Sequence, residues 1–243
     1  MKIFLAGATG AIGRRLVPLL LAAGHEVIGT TRAQSKAGAL RAAGVQPLVI
    51  DVFDAPALSR EVKAAQPDIL VHQVTDLPPG LDPSRMAEAS QRNAHMRKEG
   101  TRNLVSAALQ AGVRRLVAQS IAWVYAPGSE PHGEDDPLDV RAEGGRAITV
   151  DGVVTLERLA LSSPPLVGTV LRYGHLYGPG TGATSIPESP SLHVDAAASA
   201  ALLAIEKECT GIYNIADQNG YLSTAKARRD LGFDALFRLE DRA

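Results

Sequence analysis

A glycine triplet at the start of the chain constrains its fold most strongly. Residues 2–6 (KIFLA) have the apolar character of a buried strand, and three glycines follow at three-residue spacing before a helical pattern over residues 12–23. The first glycine permits a sharp turn, the second lets the backbone approach a bound group, and the third lets the helix pack close to the strand. N–H groups at the start of such a helix attract phosphate. The pattern therefore predicts a turn that binds a nucleotide pyrophosphate through Gly7, Ala8, Thr9, Gly10, Ala11, Ile12 and Gly13.

Short apolar runs alternate with longer helical patterns through most of the chain. Strands are predicted at residues 3–6, 26–30, 47–50, 69–72, 115–119 and 167–172, and helices near residues 12–23, 35–43, 55–65, 84–111 and 145–162. This order requires right-handed crossovers between parallel strands, and strands that are apolar throughout are buried on both faces. The sequence therefore predicts an α/β fold, a Rossmann-type doubly wound parallel sheet, in one domain over residues 1–243.

Composition excludes several kinds of partner. The net charge is -1 and charged residues make up 21% of the 243 residues, which offers no electrostatic basis for binding nucleic acid or an anionic membrane. No apolar run approaches the ~20 residues of a membrane-spanning helix. Cys209 is the only cysteine, which excludes an internal disulfide, and no residues at metal-binding spacing occur. We therefore expect a cytoplasmic protein that binds a small molecule, without metal, membrane or nucleic acid.

The end of the second predicted strand bears on which nucleotide binds. Proteins that bind NAD usually carry Asp or Glu here, and this carboxylate binds the adenosine ribose. The present chain has Thr31 followed by Arg32, so no carboxylate repels a 2′-phosphate, and a guanidinium can bind that phosphate through two hydrogen bonds. NADPH is thus the preferred cofactor. NAD(H) stays open as an alternative, as does a solvated surface role for Arg32.

Two long segments follow predicted strand ends. Residues 125–145 and 177–190 are rich in Gly and Pro. Open α/β sheets bind ligands at the carboxyl ends of their strands, so both segments are candidate binding loops. A surface connection without a binding role is the alternative for either one.

Further motifs resemble the short-chain dehydrogenase/reductase superfamily, in its extended, epimerase/dehydratase-like branch. The resemblance is carried by Asp51-Val52, Gln73-Val74-Thr75, the passage from Glu99 to Ser120, Val124-Tyr125, the stretch from Leu171 to Pro179 and His193-Val194-Asp195. It implies that the cofactor contacts Asp51, Val52, Gln73, Val74, Thr75, Gln119, Tyr173, Gly174 and His175, and that the substrate lies near Ser120, Ile121, Trp123 and Tyr177. Since the C-terminal part is shorter than is usual for this branch, residues 174–243 are expected to form only a small substrate-binding portion.

The acid–base residues of that superfamily are missing from their expected positions. Its members use a Ser or Thr, a Tyr-x-x-x-Lys pair and an Asn, and the Lys lowers the pKa of the Tyr so that it can exchange a proton. The corresponding positions here hold Ile121, Thr149, Val153 and Arg97, and no Tyr-x-x-x-Lys occurs in the chain. Ser120, Tyr173 and His175 are weak candidates for a proton donor, so the catalytic residues stay unassigned.

Two functions remain open. The cofactor carries the hydride chemistry while the protein orients the reactants, so an activated ketone could be reduced without the usual acid. The chain resembles ketoreductases of aromatic polyketide pathways, the angucyclinone ketoreductases among them, which implies an NADPH-dependent ketoreductase for a large planar substrate in antibiotic biosynthesis. The alternative is a non-catalytic NADP(H)-binding sensor. Epimerase or dehydratase activity is a weaker hypothesis, because those reactions need the missing acid–base pair.

Overall fold

The computed structural model describes residues 1–78, 83–183, 185–187 and 189–239. The strands are β1 (Lys2–Ala6), β2 (Glu26–Thr31), β3 (Gln46–Val49), β4 (Ile69–His72), β5 (Arg115–Ile121), β6 (Val167–Tyr173), β7 (His175–Tyr177), β8 (Ser191–His193) and β9 (Gly211–Ile215). The α-helices are α1 (Ala11–Ala22), α2 (Gln34–Ala42), α3 (Ala55–Ala65), α4 (Met86–His95), α5 (Thr101–Gln110), α6 (Gly144–Leu161) and α7 (Val194–Glu206). A 3₁₀ turn covers Pro83–Arg85, and π-helical turns cover Met96–Gly100 and Ala227–Leu231.

Seven strands form one parallel sheet. Their order is β3-β2-β1-β4-β5-β6-β9, and every neighbouring pair runs in the same direction. The chain passes from β1 to β2 and β3 on one side, and then returns to place β4 on the other side of β1. The predicted doubly wound parallel sheet is confirmed, and the crevice where the strand order reverses is the place at which such sheets bind ligands.

Helices cover both faces of the sheet. On one face, α1 contributes Leu16 and Leu20 to a core that also contains the alanine-rich side of α7. On the other face, α3 contributes Leu58 and Val62, and α5 and α6 pack beside it. Burial of the central strands on both faces explains their continuous apolar runs in the sequence, whereas the edge strand β3 is partly exposed.

A buried ion pair fixes α7 against α1. His193 caps α7, because its Nδ1 accepts a hydrogen bond from the backbone N–H of Asp195 at 3.2 Å. The Asp195 carboxylate in turn receives two hydrogen bonds from the Arg15 guanidinium, of which the Nη2–Oδ2 bond measures 3.0 Å. A helix therefore begins at the His-Val-Asp motif, and it packs in the core against the sheet.

The C-terminal part divides between the sheet and the edge of the crevice. Strand β9 extends the main sheet beside β6, whereas β7 and β8 form a separate two-stranded ladder. Of the segment expected to form a substrate-binding portion, residues 174–176 and 180–181 face the crevice. Positions 184 and 188 of the second predicted binding loop, and residues 240–243 of this portion, lie outside the described residues.

Several elements differ from their prediction. Strands β7, β8 and β9 were not predicted, and the single helix predicted near residues 84–111 is a succession of a 3₁₀ turn, α4, a π-helical turn and α5. The segment 125–145 is anchored, since Tyr125 pairs with Leu138 and His132 with Leu222. Among the helices that are described, none combines the length and apolar character needed to cross a membrane.

Candidate functional site

A cavity of about 920 Å³ opens at the carboxyl ends of the central strands. It spans the reversal of strand order between β1 and β4 and continues past β5 and β6. The predicted cofactor and substrate residues in its walls are Gly7, Thr9, Gly10, Ala11, Ile12, Thr31, Arg32, Val52, Gln73, Val74, Thr75, Gln119, Ser120, Ile121, Trp123, Tyr173, Gly174 and His175, together with Arg97 and Thr149. Motifs that lie far apart in the sequence therefore meet in one site.

The glycine turn has the geometry of a phosphate cradle. Gly7 has a φ of 93°, and a Cβ placed on it would lie 2.7 Å from the carbonyl oxygen of Gln73. A Cβ on Gly13 would lie 2.2 Å from the carbonyl oxygen of Gly7, so only glycine lets α1 start this close to β1. The first turn of α1 contains no acidic residue. Its free N–H groups and partial positive charge therefore fit a pyrophosphate.

A buried amide without a partner lies opposite this turn. Gln73 follows β4 and lines the cavity, and its side-chain Nε2 and Oε1 are both buried without a hydrogen bond. Leaving a buried amide unpaired costs free energy. An amide group of this kind fits a cofactor that supplies both a donor and an acceptor.

The end of the cavity that is expected to hold the adenosine contains both positively and negatively charged side chains. Thr31 is buried, and its Oγ1 accepts hydrogen bonds from the Thr9 hydroxyl and the Ala33 N–H. The Arg32 side chain is 51% exposed and lies 3.4 Å from the Asp76 carboxylate, which also lies 3.6 Å from Arg92. Arg32 can therefore turn toward a phosphate, although it must do so beside a carboxylate that the sequence did not lead us to expect.

Five predicted positions do not form the cavity wall. Ala8 packs in the core, Gly13 serves the close approach of α1 to β1, and Val153 is fully buried in an apolar cluster. The Asp51 carboxylate accepts a hydrogen bond from the Phe53 N–H at 3.0 Å. Tyr177, predicted to lie near the substrate, packs edge-on against His193 instead, because β7 turns it toward β8.

A buried polar network lies behind the far end of the cavity. Glu157 on α6 accepts two hydrogen bonds from the Arg172 guanidinium, at 2.9 and 2.7 Å. The Ser120 hydroxyl donates to the same carboxylate at 2.7 Å. These contacts raise the pKa of Arg172 even though burial, the largest single influence, acts to lower it. The Ser120 proton is thus directed toward Glu157 and away from the cavity.

The other weak proton-donor candidates differ in their surroundings. The Tyr173 hydroxyl donates to the carbonyl oxygen of Ala197 at 3.2 Å, and burial raises the pKa of Tyr173 well above its ordinary value. This geometry disfavours Tyr173 as an acid. His175 stacks on Trp123 with ring centroids 3.7 Å apart, and both rings line the cavity. A planar group can stack on an outer face of this ring pair.

The position expected for the superfamily's Asn holds a buried cation. Arg97 lies in the π-helical turn between α4 and α5, and its side chain is 9% exposed and lines the cavity. Burial lowers its pKa to about 10, although the charge of Glu157 opposes this effect. The guanidinium is therefore still charged at neutral pH. Nearby His72 stays neutral, because burial and the charge of Arg97 lower its pKa to about 4.

Sequence reasoning missed several residues of the site. Asp76, Asn93 and Arg92 line the cavity, and Glu157 and Arg172 form the network behind it. The spacing of Asn93 and Arg97, four residues apart on one helical face, was a usable signal. The pairing of Glu157 with Arg172 gave no local signal, because it joins a helix to a neighbouring strand.

Comparisons with known proteins give the family of the chain and its relatives. Residues 3–191 match the model of the NAD dependent epimerase/dehydratase family. The chain is 43% identical over 238 residues to a 3-diazoavenalumate denitrifying reductase from a Streptomyces species, covering 89% of this chain and 76% of that protein. It is also 27% identical over 182 residues to a 4-hydroxy-2-methyl-3-oxo-4-farnesyl-3,4-dihydroquinoline-1-oxide ketoreductase from Stigmatella aurantiaca, covering 73% of this chain and 51% of that protein.

Solved structures agree with the fold. A UDP-glucose 4-epimerase from Thermotoga maritima, solved with UDP-glucose, superposes with a TM-score of 0.78 at 19% identity, covering 98% of this chain and 94% of that one. An epimerase of the same name from Bifidobacterium longum, solved with NAD+ and UDP, gives a TM-score of 0.76 at 17% identity over 98% of this chain and 94% of that one. At such identities these likenesses concern the fold alone. The match over residues 3–191 and the similarity to the Streptomyces reductase identify the chain as a member of the NAD dependent epimerase/dehydratase family.

Proposed function

We propose that the chain is an NADPH-dependent reductase that delivers hydride to an electron-poor aromatic substrate. The observation that carries the proposal is a cofactor cavity whose Tyr and Lys positions hold Thr149 and Val153, while the Ser120 and Tyr173 protons are directed to other residues. A substrate reduced here must therefore need little help from an enzyme acid. Its reactive atom must be activated before it binds.

Different residues of the cavity bind the cofactor and the substrate. The Gly7–Gly13 turn and the start of α1 hold the pyrophosphate, and Arg32 meets the adenosine 2′-phosphate. The stacked rings of Trp123 and His175 hold the planar substrate, and the apolar Ile121 side chain excludes water beside them. Hydride transfer depends mainly on this alignment and on a dry site.

A diazo acid is the substrate class that this site fits best. When bound, NADPH supplies a hydride, which takes the place of N₂ at the diazonium carbon, so that the products are the reduced arene, N₂ and NADP⁺ and no proton is required. A substrate of this kind makes the Tyr-Lys pair superfluous. The similarity to a reductase that is named for 3-diazoavenalumate supports the same class.

Transfer of a label from the cofactor tests this proposal. The protein is incubated with NADPH deuterated at the transferable position and with an aryl diazonium carboxylate, and the product is examined by mass spectrometry. We expect deuterium at the carbon that lost nitrogen, at a rate well above the reaction without protein. An unlabelled product, or a rate equal to that background, would show that the chain is not such a reductase.

A ketone is the second candidate substrate. The relative from Stigmatella aurantiaca is named as a ketoreductase, and the imidazole of His175 lies in the cavity wall, where it could protonate an alkoxide. An aryl ketone with an internal hydrogen bond needs the least assistance from an enzyme acid. Such ketones are found in angucyclinone polyketides, including those of the simocyclinone pathway. NADPH consumption across quinones and polycyclic aryl ketones distinguishes this activity, whereas a non-catalytic sensor would bind NADPH and consume none with either class.

A further inference from the structure

One buried charge in the cavity has no partner among the described residues. The Arg97 guanidinium makes no hydrogen bond and no ion pair with any of them, although the residue is only 9% exposed. A buried charge without a partner is costly. Proteins retain such a group where a ligand completes its surroundings.

The neighbouring acids cannot supply the missing partner. Glu157 lies close enough to influence Arg97 electrostatically, but both of its oxygens are bound by Arg172 and one also by Ser120. Asp151 pairs with Lys98 on the outer surface. His72, the remaining titratable group beside Arg97, is neutral and bound to Thr101 at 3.0 Å. The charge of Arg97 is therefore left for the cavity.

The helix that carries Arg97 adds a second polar group. Asn93 lies one turn earlier and also lines the cavity, and its Oδ1 is already bound by the Asp76 N–H at 3.0 Å. Its amide N–H₂ group is the part that remains to donate. A guanidinium and an amide donor on one helical face, in the cavity that Trp123 also lines, fit a carboxylate attached to a planar ring.

We propose that Arg97 binds the carboxylate of the substrate and selects aryl acids over neutral aromatic compounds. This inference rests on the proposed function for the position of the substrate, and it assigns a binding residue to the carboxylate of the proposed diazo acid. Arg97 then completes its ion pair only in the complex, with Asn93 as the second donor. The cation that is costly in the free protein becomes the source of substrate preference.

Binding of an acid and its ester tests the proposal. The probes are 4-hydroxycinnamate and its methyl ester, titrated into protein that is loaded with NADP⁺, and the signal is the fluorescence of Trp123, the only tryptophan. We expect the wild type to bind the acid at least ~10-fold more tightly than the ester, and Arg97→Gln to lose ~10- to 100-fold in affinity for the acid alone. Arg97→Lys should keep part of the preference.

Arg85→Gln is the matched control. Arg85 lines the same cavity but is exposed in the 3₁₀ turn, so its removal takes away one positive charge without touching the buried site. We expect this variant to keep the preference for the acid. The proposal is overturned if the wild type shows no preference for the acid, if Arg97→Gln keeps that preference, or if Arg97→Gln loses affinity for NADP⁺ instead.

Thermal unfolding supplies a second, independent readout. Because an unpaired buried charge is removed, Arg97→Met should unfold at a temperature equal to that of the wild type or ~2–4 °C above it. A melting temperature well below that of the wild type would mean that Arg97 is structural, and would overturn the proposal.

The failure of this inference can be distinguished from the failure of the proposed function. If the preference for the acid depends on Arg97 while neither diazo acids nor ketones are reduced, the inference stands and the proposed function fails. If a substrate is reduced but the acid is not preferred, the proposed function stands and the inference fails.

Discussion

Glu157 decides the electrostatics of the cavity although it does not form its wall. Its carboxylate is bound by Arg172 and Ser120, and this pairing leaves Arg97 without a partner and directs the Ser120 proton inward. The sequence predicts that Arg97 stands where the superfamily has Asn. It could not reveal that Arg97 is unpaired, because that depends on a contact between α6 and β6, which are distant from it in the chain.

Arg32 is expected to determine the choice between cofactors. Arg32→Glu replaces a phosphate-binding cation with a carboxylate that repels the 2′-phosphate and can bind ribose hydroxyls instead. We expect NADPH affinity to fall ~10- to 100-fold and NADH affinity to stay the same or rise. Isothermal titration with both cofactors measures this, and an unchanged NADPH affinity would mean that Arg32 is only a solvated surface residue.

His72 is expected to make the protein less stable in acid. Its folded pKa is about 4, lowered by burial and by Arg97, against an ordinary value of 6.5. The unfolded chain therefore takes up a proton that the folded protein refuses, and stability is lost as the pH falls from 6.5 toward 4. We expect this residue to lower the free energy of unfolding by about 2–3 kcal/mol between pH 7 and pH 4.5.

Denaturant unfolding of the wild type and His72→Gln at the two pH values isolates that contribution. The carboxylates titrate in both proteins, so the difference between their pH dependences belongs to His72. The variant should lose less stability than the wild type on acidification. Equal losses would show that His72 does not resist protonation in the folded protein.

At the scale of elements, the contact between α6 and β6 holds the site together. Helix α6 carries Glu157, β6 carries Arg172, and the backbones of the two elements are in close contact at Gly168. A Cβ on Gly168 would lie 1.9 Å from the carbonyl oxygen of Ala160, so the backbones would have to separate. The glycine therefore sets the distance at which the buried ion pair forms.

Gly168→Ala is expected to lower stability by about 1–3 kcal/mol or more, because overpacking at a backbone atom cannot be relieved by a side-chain rotation. The matched control is Gly145→Ala in the first turn of the same helix, where an added Cβ meets nothing within 4 Å. That variant should be neutral or stabilised by up to ~1 kcal/mol. Thermal unfolding of both checks the comparison, and similar melting temperatures for the two variants would contradict it.

The elements that the sequence predicted are those with strong local patterns. The central strands are apolar throughout and the glycine turn has its own spacing, so β1, α1 and the turn between them follow from local sequence patterns alone. Strands β7 and β8 have three residues each, which is too short for any periodicity. The π-helical turn over Met96–Gly100 differs from an α-helix by one extra residue in a turn, and the apolar pattern around it does not record that change.

At the scale of the whole molecule, the reversal of strand order brings the proposed cofactor side and the proposed substrate side of the cavity together. In the proposed function, the β1–α1 turn supplies the phosphate site, and β5, β6 and the turn before α5 supply the substrate side. Because these parts come from opposite sides of the reversal, the cavity forms only in the complete sheet. The fold class was therefore accessible from the sequence, whereas the direction of each hydroxyl proton was not.

The pH dependence of turnover is expected to distinguish the two candidate substrates. Reduction of a diazo acid consumes no proton, and Arg97, with a pKa of about 10, keeps its charge as the pH is raised through neutrality. The value of kcat/KM for an aryl diazonium carboxylate should therefore be constant between about pH 6 and 8. Reduction of a ketone needs a proton, so its kcat/KM should fall as the pH rises and an imidazole donor loses its proton. A falling profile for the diazo acid itself would contradict the proposal, because it would mean that a titrating group of the protein takes part in a reaction that requires none.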